Sequence, residues 1–402
     1  MHRIYEGLIK EHFANNQQML FLAGPRQVGK TTISLAAKAL TDEFTYLNWD
    51  NYDDRRLIVE GPSNIAVKLG LSQLRKKLPI VVFDEIHKYT KWKIFLKGFF
   101  DTYKNQVKII VTGSSKLNIY RRGGDSLMGR YFCYRIHPIS VAECLHVVPI
   151  EQEINKPTVI DKAQFQALWE FGGFPEPFLK HETRFYQRWK NLRQHQLFRE
   201  DIRDLSHIQE IAHIEILANI LKEQAGQLVN LSSFAKHIQV SVSTIKRWLG
   251  TLENFYYCFL IKPWTKNISR SLLKEPKLYL WDWSEITDPG AKAENFVAAH
   301  LLKAIHYWTD CGFGNYDLFF IRDKDKREVD FLVTKNQKPW FLVEVKHSKS
   351  NSLNENLYRF QEYTKAQHAF QVVFDLEPIE VDCFTKREPI IVPVQTFLSQ
   401  LV

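Results

Sequence analysis

"FLAGPRQVGKTT", Phe21–Thr32, is the stretch whose reading decides the fold. An apolar run enters Gly24, four residues separate it from Gly29, and Lys30-Thr31 open the helical pattern "TISLAAKAL". Strand, glycine-spaced loop and helix in that order make a Walker A phosphate loop, because glycines let backbone N–H groups converge on an anion at the positive end of a helix. The candidate nucleotide-binding residues are therefore Gly24, Pro25, Arg26, Gln27, Val28, Gly29, Lys30, Thr31 and Thr32. Lys30 is suited to the terminal phosphates, and the Thr31 hydroxyl to magnesium.

Outward from that loop, "LPIVVFDEIHK", Leu78–Lys88, is an apolar strand ending in two carboxylates. Such a strand delivers Asp84 to magnesium and Glu85 to the attacking water, so ATP and Mg²⁺ are the expected cofactors. "FTYLNWD" reads as a second strand between these two. "QVKIIVTGSS" reads as a further buried strand ending in the hydroxyls of Thr112, Ser114 and Ser115. Polar groups at the ends of parallel strands sit at the ligand crevice, which makes Thr112 a candidate γ-phosphate sensor.

The chain has 402 residues, more than one core usually organises, and 45% of them are hydrophobic. A multidomain protein of the cytoplasm is expected, since no apolar run approaches membrane-spanning length and the N-terminus is amphipathic rather than signal-like. Five scattered cysteines form no CxxC pair and argue against a zinc site or a disulfide framework. A net charge of +9 favours an anionic partner.

In "IYRRGGDSLMGRYFCYRIHPIS", Arg130 stands immediately ahead of a fifth strand-like run. The order of parts resembles the AAA+ ATPases, in which an arginine at that place reaches a neighbouring subunit's nucleotide. The resemblance implies a catalytic Arg130 beside Lys30 and Glu85, with Arg121 and Arg122 as rivals, and a homo-oligomer, a hexameric ring among the forms expected. "GPRQVGKTT", "FDEIHK", "TGSS" and the later "GGFPEP" together resemble the widespread bacterial and archaeal ATPases that carry a conserved C-terminal domain of uncertain function.

Beyond the core, residues 1–140, the pattern turns helical over 141–208, where a lid or connector is expected. Residues 209–283 read as a winged helix. Helix "EILANILKEQAG" precedes a second helix, "NLSSFAKHI", expected to start from a serine cap. A third helix would display Ser241, Ser243, Thr244, Lys246 and Arg247 outward and turn Ile245, Trp248, Leu249 and Leu252 inward. Ser243, Thr244, Lys246 and Arg247 are the DNA-contact candidates. Lys262, Lys266, Arg270, Lys274 and Lys277 form a basic run suited to phosphates. Winged helices also serve protein contacts, so a protein partner stays open.

Residues 284–402 read as helix, three strands, helix, strand. With Asp330 on one strand and Glu344-x-Lys346 on the next, this order resembles the PD-(D/E)XK nuclease fold. The resemblance implies magnesium on Asp330 and Glu344, a water-steadying Lys346, and Glu294 completing the acidic cluster. Strand alternation sends Glu344 and Lys346 to one face. A degenerate, non-cleaving version of the same fold would keep the same residues as an Asp–Lys–Glu network inside an interface, or as a metal site without turnover. The expected fold class is α/β: an AAA+-like P-loop core, a helical lid, a winged helix and a restriction-endonuclease-like domain. The expected function is ATP-driven translocation on, or remodelling of, duplex or branched DNA. An ATP-gated nuclease of genome defence and a protein-binding switch without DNA are the alternatives.

Overall fold

The computed structural model describes residues 1–113, 127–148, 151–203, 210–265, 275–348 and 352–402. Ser114, Ser115, Arg121, Arg122, Lys266, Arg270 and Lys274 lie outside the described residues. The chain divides into two compact units, Met1–His137 with Val147–Pro149, and Pro138–His146 with Ile150–Val402.

In the first unit, five strands are all parallel: β1 Met19–Ala23, β2 Phe44–Asn48, β3 Ile80–Asp84, β4 Lys108–Gly113 and β5 Tyr131–Arg135. Their order is β2-β3-β4-β1-β5. Strands covered on both faces cannot alternate, and β1 and β3 are buried at every position. The helix Trp92–Tyr103 lays Phe95, Leu96 and Phe99 against the sheet. Phe83 meets Phe95 and Phe99 edge-on at 5.6 Å each, and each such ring stabilises the unit by about 1.5–3 kcal/mol through burial. The order has a functional consequence. It inserts β4 between the phosphate-loop strand and the Asp84 strand, so Leu22 registers with Thr112 and Thr112 with Asp84.

The second unit is organised by one seven-stranded sheet in the order β12-β11-β10-β9-β8-β6-β7. Its strands are β6 Cys258–Pro263, β7 Lys277–Leu280, β8 Tyr316–Arg322, β9 Glu328–Lys335, β10 Lys338–Lys346, β11 His368–Val373 and β12 Ile390–Pro393. The hairpin β6–β7 is antiparallel, as a wing would be, yet β6 also pairs in parallel with β8. Wing and nuclease-like strands therefore share one hydrogen-bonded sheet that runs across residues 283 and 284.

Three helices precede the hairpin: Ile211–Glu223, Leu231–Ile238 and Val242–Asn254. The third buries Ile245, Trp248, Leu249 and Leu252, the inward set expected from its spacing. The second starts two or three residues earlier than a cap on Ser232 or Ser233 would place it. Asn230 caps it by accepting from the Ser233 N–H at 2.9 Å, because an Asn side-chain oxygen at that place serves the orphan donors of the first turn as well as a serine would.

Residues 138–146 and 151–203 belong to this unit. The Trp283 indole N–H donates to the Leu168 carbonyl at 2.7 Å, and Arg193 pairs with Asp282 at 3.1 Å. Lys303, on the long helix Pro289–Asp310, is fully buried against Glu143 and Ser140. Ser140 in turn donates to the Val402 carbonyl at 2.7 Å.

Candidate active site

The phosphate loop is shaped by two glycines. Gly29 holds φ +97°, the left-handed region that glycine enters without cost, immediately before the helix Lys30–Ala36. At Gly24 a Cβ would lie 2.4 Å from the Ile136 carbonyl oxygen, so no larger residue fits there. Lys30 is buried inside the loop, its ammonium donating to the carbonyls of Gly24 at 2.9 Å and Pro25 at 2.7 Å. Arg26 and Gln27 are half-buried, Thr31 and Thr32 exposed. Val28 is buried, and its carbonyl accepts from Arg3 at 2.9 Å. A second N–H of the same guanidinium donates to the His137 carbonyl at 2.7 Å, tying the loop to the end of β5. Arg3 is inconspicuous in the sequence. Its only signal is an arginine one residue ahead of a helix whose apolar face must pack.

Asp84 is the focus. Thr31 Oγ1 donates to it at 3.0 Å, and the hydroxyls of Thr112 and Tyr46 donate to it as well. Residues from the phosphate-loop helix, β2 and β4 thus converge on one buried carboxylate at the carboxyl edge of the sheet. Tyr46 was not singled out from sequence. Its strand registers it against Val82, one strand from the Walker B run, and polarity within "FTYLNWD" is the trace it leaves. Burial and the Asp84 carboxylate both hold the Tyr46 hydroxyl protonated far above its ordinary range.

Glu85 follows at φ +54°, a left-handed conformation that costs a non-glycine residue energy and that recurs at functional sites. Its carboxylate lies 3.7 Å from both the Lys88 ammonium and the His87 ring. Burial keeps His87 neutral by lowering its pKa, against the pull of Glu85. The donor set fits magnesium: one hydroxyl and one carboxylate in mutual contact, Thr31 and Asp84, are hard oxygen ligands of the kind that ion takes with phosphates.

Arg130 is in place ahead of β5, where its guanidinium makes a two-pronged pair with Asp101 of the same chain at 2.8 and 2.9 Å. That pairing holds the Asp101 carboxyl below its usual range.

In the second unit the structure brings together the four residues named from the nuclease resemblance. Glu344 and Lys346 share a face of β10 and bond at 2.7 Å. Asp330, on the neighbouring strand, accepts from the Val345 N–H at 2.8 Å. Burial, then the proximity of Glu294 and Glu344, raises the Asp330 pKa well above the carboxylate range. The expected phosphate-facing Lys277 is a correction. It is 5% exposed and points into this cluster, 3.0 Å from Glu294 and 2.6 Å from Glu328. Its neighbours in "EPKLYLW" explain the reversal: β7 alternation places Lys277 on the face of Tyr279, whose hydroxyl also donates to Glu294, at 2.7 Å. Among the described residues no group of three or more His, Cys, Asp or Glu side chains is placed to hold a metal ion. The magnesium expected on Asp330 and Glu344 meets a cluster that already contains an ammonium.

On the third helix of the winged-helix segment, Ser241, Ser243, Lys246 and Arg247 are exposed and Thr244 half-buried. Ser241 caps the helix and shares hydrogen bonds of 2.8 Å with the hydroxyls of Ser243 and Thr244. Those three hydroxyls are thus committed to the helix start, which leaves Lys246 and Arg247 as the charged groups facing outward.

Sheet order and converging side chains define the first unit as a P-loop ATPase-type core. The chain accordingly carries an AAA domain: residues 16–145 match the family described as "AAA domain". Residues 162–284 and 289–395 match two families each described as a domain of unknown function, DUF8612 and DUF4143. The first of these runs across residues 208 and 209. The chain is similar to an uncharacterized protein of Methanocaldococcus jannaschii, 26% identical over 353 residues that cover 83% of this chain and 76% of the relative. An uncharacterized protein of Mycobacterium tuberculosis is 21% identical over 354 residues, 84% of this chain and 72% of the relative. Among solved structures, one described as "Structural Basis for Katanin Self-Assembly" covers 42% of this chain at 17% identity and a TM-score of 0.24. Caenorhabditis elegans PCH-2 covers 61% at 13% identity, also with a TM-score of 0.24. The aligned part is 65% of each solved chain, and at those scores neither likeness carries an argument. No helix among the described residues is long and apolar enough to cross a membrane.

Proposed function

We propose that this chain hydrolyses ATP and couples the turnover, as a homo-oligomer, to movement along or remodelling of duplex or branched DNA. The observation that carries the ATPase reading is the convergence of Thr31, Tyr46 and Thr112 on Asp84, with Lys30 held in the adjoining loop. Lys30 neutralises the terminal phosphates, and Glu85 orients the water that attacks them. Thr31 and Asp84 are the side chains that would hold magnesium, which supplies charge to offset the leaving phosphates. Thr112 stands between the two strands and reports the γ-phosphate to β4. Arg130 acts in trans after exchanging Asp101 for a neighbouring subunit's nucleotide, a contribution worth about 10³–10⁵ in rate.

A net charge of +9 and the outward pair Lys246 and Arg247 support a nucleic-acid partner. ATP hydrolysis measured with no DNA, single-stranded, duplex and four-way DNA, each over a salt series, tests this reading. Stimulation that falls steeply with salt is expected. A rate indifferent to every DNA form and to salt would replace DNA with a protein as the partner of the winged-helix segment.

A further inference from the structure

The acidic cluster of the second unit is not an open carboxylate pair. Glu294 comes from the long helix, Glu328 and Asp330 from β9, and Glu344 from β10. Lys277 enters from β7 at 3.0 Å from Glu294, 2.6 Å from Glu328 and 3.8 Å from Asp330. Arg322 reaches the other oxygen of Glu328 at 3.3 Å, and Lys346 holds Glu344 at 2.7 Å. Asn354 donates to the same Glu344 oxygen at 2.7 Å. Four carboxylates therefore meet three cations.

An active metal-dependent nuclease needs the opposite arrangement, with carboxylates left anionic so that a divalent ion supplies their counter-charge. A lysine ammonium among those oxygens competes for the same lone pairs and repels the incoming ion. The Lys277 ammonium already lies against three of those carboxylates, Glu294, Glu328 and Asp330. Its strand also matters. β7 belongs to the wing hairpin, whereas β9, β10 and the long helix belong to the nuclease-like part, so the ion pairs join the two parts of the sheet.

We infer that Lys277 is the resident cation of this site, filling the role a divalent metal has in a cleaving relative of the fold, and that the cluster is a clasp fastening the wing hairpin to the nuclease-like strands. The inference stands on the second unit alone and is independent of whether the ATPase acts on DNA. Without Lys277 these carboxylate oxygens lack that counter-charge, and a divalent ion that takes oxygen ligands can supply it.

The test is Mn²⁺ binding to the full chain without nucleotide, read by electron paramagnetic resonance, for wild type, Lys277→Met, and Lys277→Met with Asp330→Asn. Far-ultraviolet circular dichroism checks that each is folded. Lys277→Met is expected to gain one Mn²⁺ site per chain that wild type lacks, and to lose it when Asp330→Asn is added. A folded Lys277→Met that gains no site overturns the inference. So does a wild-type Mn²⁺ site that Asp330→Asn abolishes. Should Lys277→Met not fold, the wild type against Asp330→Asn decides alone, and equal Mn²⁺ binding by the two supports the clasp.

Discussion

Two strand carboxylates, the buried Asp84 at the end of β3 and the half-buried Asp330 on β9, occupy sites that the sequence describes in similar terms, an acid on an apolar strand with a second acid and a lysine nearby. Their surroundings differ in kind. Asp84 is met by three hydroxyls, from Thr31, Tyr46 and Thr112. Asp330 is met by a backbone N–H and, at 3.8 Å, the Lys277 ammonium. Hydroxyls satisfy an acceptor without cancelling its charge, so a metal and a nucleotide can still be drawn to it; an ammonium cancels the charge outright. The lesson is that acidic residues on strands mark a metal centre only where their counter-charge is missing.

The largest effect expected from this contrast is on turnover. Glu85→Gln should lower ATP hydrolysis by about 10²–10⁴-fold while nucleotide binding persists, the scale of a lost general base, whereas Asp330→Ala should leave the rate unchanged. Steady-state phosphate release beside fluorescent-nucleotide binding measures both. Loss of turnover in Asp330→Ala would break the distinction.

Next is the buried pair Lys303–Glu143. Lys303→Met leaves Glu143 uncompensated and should cost the second unit about 3–5 kcal/mol, whereas Lys303→Met with Glu143→Leu should recover most of it. Chemical denaturation monitored at the tryptophans would register the change. Nucleotide binding by the first unit should be unaffected.

A comparable but pH-dependent effect is expected at His300. Its Nδ1–H donates to the Phe296 carbonyl at 2.7 Å, and its Nε2 accepts from the Val141 N–H at 3.1 Å, an arrangement that only the neutral ring satisfies. Burial, reinforced by Lys303, pushes its pKa down to about 3 from an ordinary 6.5. The unfolded chain therefore binds the proton first as pH falls. Stability is fully present above pH 6.5 and should decline by about 1.4 kcal/mol per pH unit between there and about pH 3. His300→Gln should flatten that part of the denaturation profile, and an unchanged slope would contradict the assignment.

The smallest expected effect is on DNA affinity. Lys246→Ala and Arg247→Ala should each reduce the slope of log affinity against log salt by about one, measured by fluorescence anisotropy on duplex DNA.

What could be read from sequence follows how local each feature is. The phosphate loop was legible because strand, glycines and helix are consecutive, and Glu344 with Lys346 because strand alternation is a two-residue rule. The inward face of Val242–Asn254 was legible for the same reason. Lys277 was not: among basic neighbours it looks like a phosphate contact, and only the course of the sheet through β6 and β8 brings it to Glu328. Tyr46 and Arg3 were missed because each acts on a residue far along the chain, Asp84 and His137. The shared sheet was missed because a hairpin read alone gives no sign that β6 also pairs with β8.

The most direct test of the account is magnesium-dependent ATP hydrolysis by the full chain, with and without DNA, for wild type, Glu85→Gln and Asp330→Ala. Turnover in wild type and Asp330→Ala, abolished in Glu85→Gln, is the predicted result. A wild type that hydrolyses no ATP under any condition would contradict it.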